Sequence, residues 1–216
     1  MGPRAKPEPQ ARKSLFLDDG PANARVAILL AHGAGAGMDS PFMDAAAKGL
    51  AARGVRVLRF EFPYMAARRV SGKKRPPDRM PILREAFRAA AGEAGASRLI
   101  LAGKSMGGRV ASLVADEIGA DGLLCFGFPF HPPGRPKDPA RVAHLARLKT
   151  PALIVQGERD PFGGRAETAR LSLSPAVRFH WVADGDHDLK PRKSSGLDAD
   201  DLFEKALDAA AAFARS

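Results

Sequence analysis

Short apolar runs recur along the chain at 26–31, 55–60, 99–102, 122–126, 152–155 and 177–182. Most are continuous rather than alternating, which predicts strands covered on both faces, as in a parallel sheet. Between them, segments 42–52, 81–91, 106–118, 139–148, 167–171 and 198–214 carry apolar residues at helical spacing. Pro81 at a helix start and Gly92 and Gly119 at helix ends fit the terminus rules. Alternation of strand and helix predicts βαβ units with right-handed crossovers. Residues 14–17 read as a short edge strand before a turn at 18–21. Two connections are unusually long, 61–80 and 127–138, and both follow the carboxyl ends of strands, where open α/β sheets place their sites.

With 216 residues the chain is long enough for one substantial domain, expected over 14–216 behind a basic polar tail at 1–13. The tail has no apolar run of the kind a secretory leader needs, and no stretch approaches the ~18 apolar residues of a spanning helix. The single Cys125 excludes an intrachain disulfide and a cysteine zinc site, so a reducing, cytoplasmic setting is expected. A formal net charge of +10 invites a nucleic-acid reading. That reading is weakened because the basic stretch 66–80 has no aromatic residue for base stacking. The excess charge is concentrated in 68–79, 135–149 and 190–193, which places it at the same sheet edge as the long connections and predicts a preference for anionic small-molecule substrates.

Four motifs carry chemistry, each just past a strand. Gly103-Lys104-Ser105-Met106-Gly107 joins a strand to a helix. A turn this sharp strains the central residue, and the positions two before and two after it must be tiny because strand and helix nearly touch. The five letters alone are weak evidence; the flanking strand and helix strengthen them. His32-Gly33-Ala34-Gly35 follows the first long strand, and Gly157-Glu158-Arg159-Asp160 and Asp184-Gly185-Asp186-His187 follow the last two. A serine hydroxyl needs an adjacent base, and that base needs a carboxylate to fix its tautomer. Ser105 and His187 are candidates for the first two roles; Asp160 competes with Glu158, Asp184 and Asp186 for the third. Dinucleotide and phosphate-loop readings of the glycine-rich segments fail on spacing, because Met38 and Arg98 stand where glycine is required. Cys125 reads as a buried small hydrophobe, and His144 and His180 as ordinary helix and strand positions.

Taken together, the four motifs resemble the α/β-hydrolase superfamily, whose elbow serine, acid and histidine follow in the chain order seen here as Ser105, Asp160 and His187. The resemblance covers residues 25–214, and the runs 103–109 and 127–134 are most similar to small cap-less dienelactone-hydrolase-like proteins and to testis-expressed and chromatin-complex-subunit relatives. It implies an α/β-hydrolase fold with a mostly parallel sheet of about six or seven strands, helices on both faces and no cap domain. It also implies a carboxylesterase- or thioesterase-like serine hydrolase with catalytic Ser105, Asp160 and His187. Ala34 and Met106 amides form the expected oxyanion hole, and neither metal nor organic cofactor is expected. His32 is expected to hydrogen-bond within its loop rather than act as a base, and counts with Tyr64, Met65, Phe130, His131 and Phe162 among the expected substrate-bordering residues, Phe62 beside them; a loop-fixing role for His131 stays open. Two features depart from the pattern. Dienelactone hydrolases proper carry cysteine at the elbow, and one or both of the usual leading antiparallel strands is missing. The alternative function is a hydrolase-like interaction protein with little turnover.

Overall fold

The computed structural model describes residues 15–134 and 138–216; the basic tail and Ser14 of the expected edge strand lie outside them. Seven strands form one sheet: β1 (Leu17–Asp19), β2 (Val26–Ala31), β3 (Arg56–Phe60), β4 (Arg98–Lys104), β5 (Gly122–Phe126), β6 (Ala152–Gly157) and β7 (Val177–Val182). Their order is β1-β3-β2-β4-β5-β6-β7, and only β1 runs antiparallel to its neighbour. One leading antiparallel strand is therefore present. Arg56 pairs with Asp18 at 2.6 Å, and the buried Arg59 pairs with Asp19 at 2.8 Å and with Asp44, fastening that strand to β3 and to the first helix.

Among the described residues six α-helices pack with the sheet, five between strands and the last after β7: α1 (Pro41–Ala52), α2 (Pro63–Ser71), α3 (Met80–Glu93), α4 (Met106–Ile118), α5 (Arg165–Thr168) and α6 (Ala199–Arg215). Successive side chains of a strand point to opposite faces, so each central strand feeds two cores. Leu29, Leu101, Cys125 and Ile154 meet Leu83 and Phe87 of α3 and Val110 and Val114 of α4. Ile28, Leu30, Ile100 and Leu124 meet Met43 and Leu50 of α1 and Leu207 and Ala211 of α6. This double coverage explains the continuous apolar runs. Each large side chain buried this way contributes about 1.5–3 kcal/mol.

Several expected elements differ. The edge strand expected at 14–17 forms over Leu17–Asp19, inside the expected turn, where it pairs with β3, and the helix expected at 167–171 is the single turn Arg165–Thr168. The connection 61–80 contains α2, which starts with Pro63 in its first turn and stops at Gly72 in the left-handed region (φ 67°). Only Tyr64 and Met65 of this helix are buried, and its nine mostly polar residues carry too few apolar positions to stand out from the loop. Residues 139–148 form two short 3-10 turns, Pro139–Arg141 and Ala143–Arg147, rather than one helix, with the Asp138 carboxylate accepting from the Ala140 amide. No cap domain interrupts the described residues, so the carboxyl edge of the sheet is covered only by loops and helix ends.

Candidate active site

The parallel register brings Ala31, Gly103 and Cys125 level, so β2, β4 and β5 end side by side and their loops converge. Ser105 follows β4 with φ 52° and ψ −115°, the strained conformation the motif predicts for a non-glycine residue in this turn. A Cβ on Gly103 would lie 2.2 Å from the Gly107 carbonyl carbon, and one on Gly107 would lie 2.5 Å from the Ala31 carbonyl oxygen. The glycine spacing is thus a requirement of backbone contact.

The Ser105 hydroxyl lies 2.8 Å from Nε2 of His187, and Nδ1 of His187 lies 2.8 Å from Oδ2 of Asp160. Asp160 is 2% exposed. Its Oδ2 also accepts from Gln156 Nε2 at 2.8 Å, and its Oδ1 accepts from the Phe162 amide at 2.8 Å. A carboxylate held by three donors can only accept, so His187 donates from Nδ1 and leaves Nε2 free to accept from Ser105. The ring of Phe162 packs on the imidazole with centroids 4.2 Å apart.

The other three carboxylates are engaged elsewhere. Asp184 is clamped by Arg192 and Arg159, and the Arg192 hydrogen bond is the main cause that pulls its carboxyl down to about 2. Glu158 pairs with Arg165 at 2.6 Å, and Asp186 accepts from the amides of Asp188 and Lys190, which knots the turn that carries His187. Two further residues shape the site: Lys104, inside the elbow motif, and Gln156, directly before the motif that carries Asp160. Gln156 is fully buried at the end of β6 and accepts from the Phe128 amide at 2.7 Å. Lys104 is buried beside Ser105, where its Nζ donates to the His187 carbonyl at 2.6 Å and pairs with Asp188 at 3.2 Å. Burial lowers its pKa below the usual lysine value.

A cavity of about 620 Å³ opens beside Ser105 and His187. Its wall is largely apolar, with Phe42, Met43, Phe162, Leu189 and Phe203 facing it, and Ala34 to Ala36 form one lip. It lies toward the amino ends of α1 and α6. Of the expected substrate-bordering residues, Phe162 alone lines this cavity. His32 is fully buried between the Gly33 carbonyl and the Phe62 amide, and Phe62 is itself core. Tyr64 is buried with its hydroxyl turned to the Gly33 and Ala34 carbonyls, and Met65 borders a separate groove of about 300 Å³. Phe130 packs between Phe128 and Phe179, and His131 Nε2 lies 3.1 Å from Glu167. These six lie on the α2 side and in the 127–134 loop, because the apolar face of the site is built by α1 and α6 instead.

Ala34 lies on the cavity wall with Ser105. Met106 is the first residue of α4, where an amide has no partner within the helix and the helix dipole is positive. The cavity wall carries Lys104 and Lys190 against Asp188 and Asp200, a balance that gives no support to the expected preference for anions. Of the basic segment 135–149, residues 135–137 lie outside the described part. Arg141 is turned to the Pro129 carbonyl. No helix among the described residues is long and apolar enough to cross a membrane.

Known structures share this architecture. An esterase domain of a Rhodothermus marinus protein superposes with a TM-score of 0.65 at 19% identity, covering 93% of this chain and 91% of that one. Dienelactone hydrolase from Anabaena variabilis gives 0.66 at 20%, covering 90% and 86%. A serine hydrolase without lid from Xanthomonas campestris gives 0.61 at 21%, covering 90% and 86%. At such identities the likeness speaks for the fold. The family model described as Alpha/beta hydrolase domain matches residues 24–215, the whole sheet from β2 onward with every helix, and the chain belongs to that family.

Proposed function

We propose that the protein is a serine hydrolase that cleaves an ester or related acyl bond of a small molecule through Ser105, His187 and Asp160. The observation that carries this reading is the unbroken chain of hydrogen bonds from a buried carboxylate to a strained serine hydroxyl, 2.8 Å at each link, opening on an apolar cavity. A volume of about 620 Å³ suits a small-molecule acyl group.

His187 takes the Ser105 proton at Nε2 as Oγ attacks the acyl carbonyl, and Asp160 stabilises the imidazolium. The carbonyl oxygen gains negative charge, and the amides of Ala34 and Met106 donate hydrogen bonds to it; such a donor contributes about 3–4 kcal/mol at the transition state. The imidazolium then protonates the leaving group, whose bond to the acyl carbon breaks. Water, deprotonated by His187, attacks the acyl-serine, and the collapse returns the proton to Ser105. The carboxylate product departs with the site restored.

Wild-type protein and the Ser105→Ala variant should be compared on p-nitrophenyl acetate and butyrate. The expected result is measurable turnover that falls by roughly 10⁴-fold or more in the variant. A folded wild type no faster than Ser105→Ala would favour the interaction-protein reading.

A further inference from the structure

The loop Gly33-Ala34-Gly35-Ala36-Gly37 has almost no side chains with which to hold its own shape, and a Cβ on Gly35 would touch nothing within 4 Å. Glycines on this scale leave a chain many conformations. Yet its first three carbonyls are each held by a side-chain donor. The Gly33 oxygen accepts from His32 Nδ1 at 2.7 Å and from the Tyr64 hydroxyl at 3.1 Å. The single hydrogen of that hydroxyl is shared with the Ala34 oxygen, 3.0 Å away, and Arg68 donates to the Gly35 oxygen at 3.3 Å. Tyr64 and Arg68 are four residues apart, on one face of α2.

His32 is fixed as a neutral donor. Its Nε2 accepts from the Phe62 amide at 3.1 Å, which leaves the proton on Nδ1, and burial lowers its pKa. The Tyr64 hydroxyl stays protonated, since burial pushes its pKa up to about 12.

In a planar trans peptide the C=O and N–H leave opposite edges. The Gly33 carbonyl is drawn toward His32 and Tyr64, which are buried away from the cavity. The Ala34 amide, on the other edge of the same peptide, is therefore turned toward the wall shared with Ser105. Gly33 also sits close against the elbow, where its Cβ position is 3.7 Å from Ser105 Cβ. A hydrogen bond to the carbonyl further polarises the peptide and strengthens its N–H as a donor.

We propose that Tyr64 is a positioning residue for the oxyanion hole: its hydroxyl holds the Gly33 and Ala34 carbonyls so that the Ala34 amide faces the developing oxyanion, with Arg68 as a weaker second clamp. The proposal rests on the acyl-transfer reading of Ser105. It gives α2 a role, as the helix that aims the oxyanion loop.

Tyr64→Phe removes one hydroxyl and keeps the buried ring. On p-nitrophenyl butyrate, kcat should fall roughly 10- to 100-fold with KM within about twofold, somewhat less than the loss of a whole oxyanion donor. A trifluoromethyl ketone that forms a tetrahedral adduct on Ser105 should lose affinity by the same factor, while the amide of the same acyl group binds as before. Crystal structures of the two proteins should show the 33–34 peptide in one orientation in wild type and rotated, or in two orientations, in the variant. If Tyr64→Phe does not fold, Arg68→Gln should show the same kcat-only pattern at about two- to fivefold. A loss expressed in KM, an unchanged kcat or an unmoved peptide would overturn the proposal. Should wild type show no Ser105-dependent turnover, the proposed function fails, and the crystal structures still decide whether Tyr64 aims the peptide.

Discussion

Changing Asp160 to asparagine is expected to lower kcat by about 10⁴-fold while leaving the fold intact, the size of effect seen where an aspartate fixes the tautomer of a catalytic imidazole. The two side chains have nearly the same shape, so packing is preserved. The hydrogen bonds are not. Oδ1 faces the Phe162 amide, a donor, so the single oxygen of asparagine is drawn there. Its NH₂ group then confronts Gln156 Nε2 and His187 Nδ1. His187 can satisfy that group only by accepting at Nδ1, which moves its proton to Nε2 and leaves nothing to accept from Ser105. Steady-state kinetics and a thermal melt would check this. A loss below tenfold, with the melting temperature kept, would mean that another carboxylate orients His187.

The largest effect on stability is expected at Gly103. In Gly103→Ala the new Cβ would meet the Gly107 carbonyl carbon at 2.2 Å and the Gly108 nitrogen at 2.3 Å. Neither side can yield. Gly103 is locked between Ala31 of β2 and Cys125 of β5, and the Gly107 Cβ position is already 2.6 Å from the His32 carbonyl. Overpacking that flexible side chains absorb costs about 1–3 kcal/mol; backbone against backbone should exceed 4 kcal/mol. For a domain of this size that is a fall of about 10 °C or more in Tm, or failure to fold. Gly92→Ala on α3, where the Cβ position meets nothing within 4 Å, is the control and should be neutral or stabilising by up to about 1 kcal/mol. Equal melting temperatures for the two variants would contradict the close-contact account of the elbow.

How much of this was legible depends on how local the signal is. The central strands were, because β2 and β5 are buried and apolar along their whole length and β4 is apolar through 99–102. The elbow was, because a contact of backbone on backbone leaves only glycine at two fixed positions. Asp160 stood out from Glu158, Asp184 and Asp186 only by its Gly157-x-x-Asp160 placement after the penultimate strand, which matches the family. In space, Glu158 is taken by Arg165, Asp184 by Arg192, and Asp186 by the amides of its own turn. The helix α2 was hidden for a related reason. Its amino end is held by the Asp78 carboxylate accepting from the Tyr64 amide, a contact across the loop, and its few apolar residues did not mark a helix. The side of the site on which the substrate cavity opens was also hidden, since α1 and α6 come together from distant parts of the chain. The aromatic residues of 62–65 and 128–131 looked available and are instead core, scaffold or groove.

The central claim is that Ser105 is a nucleophile activated by His187. Its most direct test is incubation of the full chain with a fluorophosphonate, followed by intact mass and peptide mapping. One adduct per chain on Ser105, and none on Ser105→Ala, is the expected result. A well-folded wild type that gains no adduct, or a Ser105→Ala variant that labels equally, would contradict it.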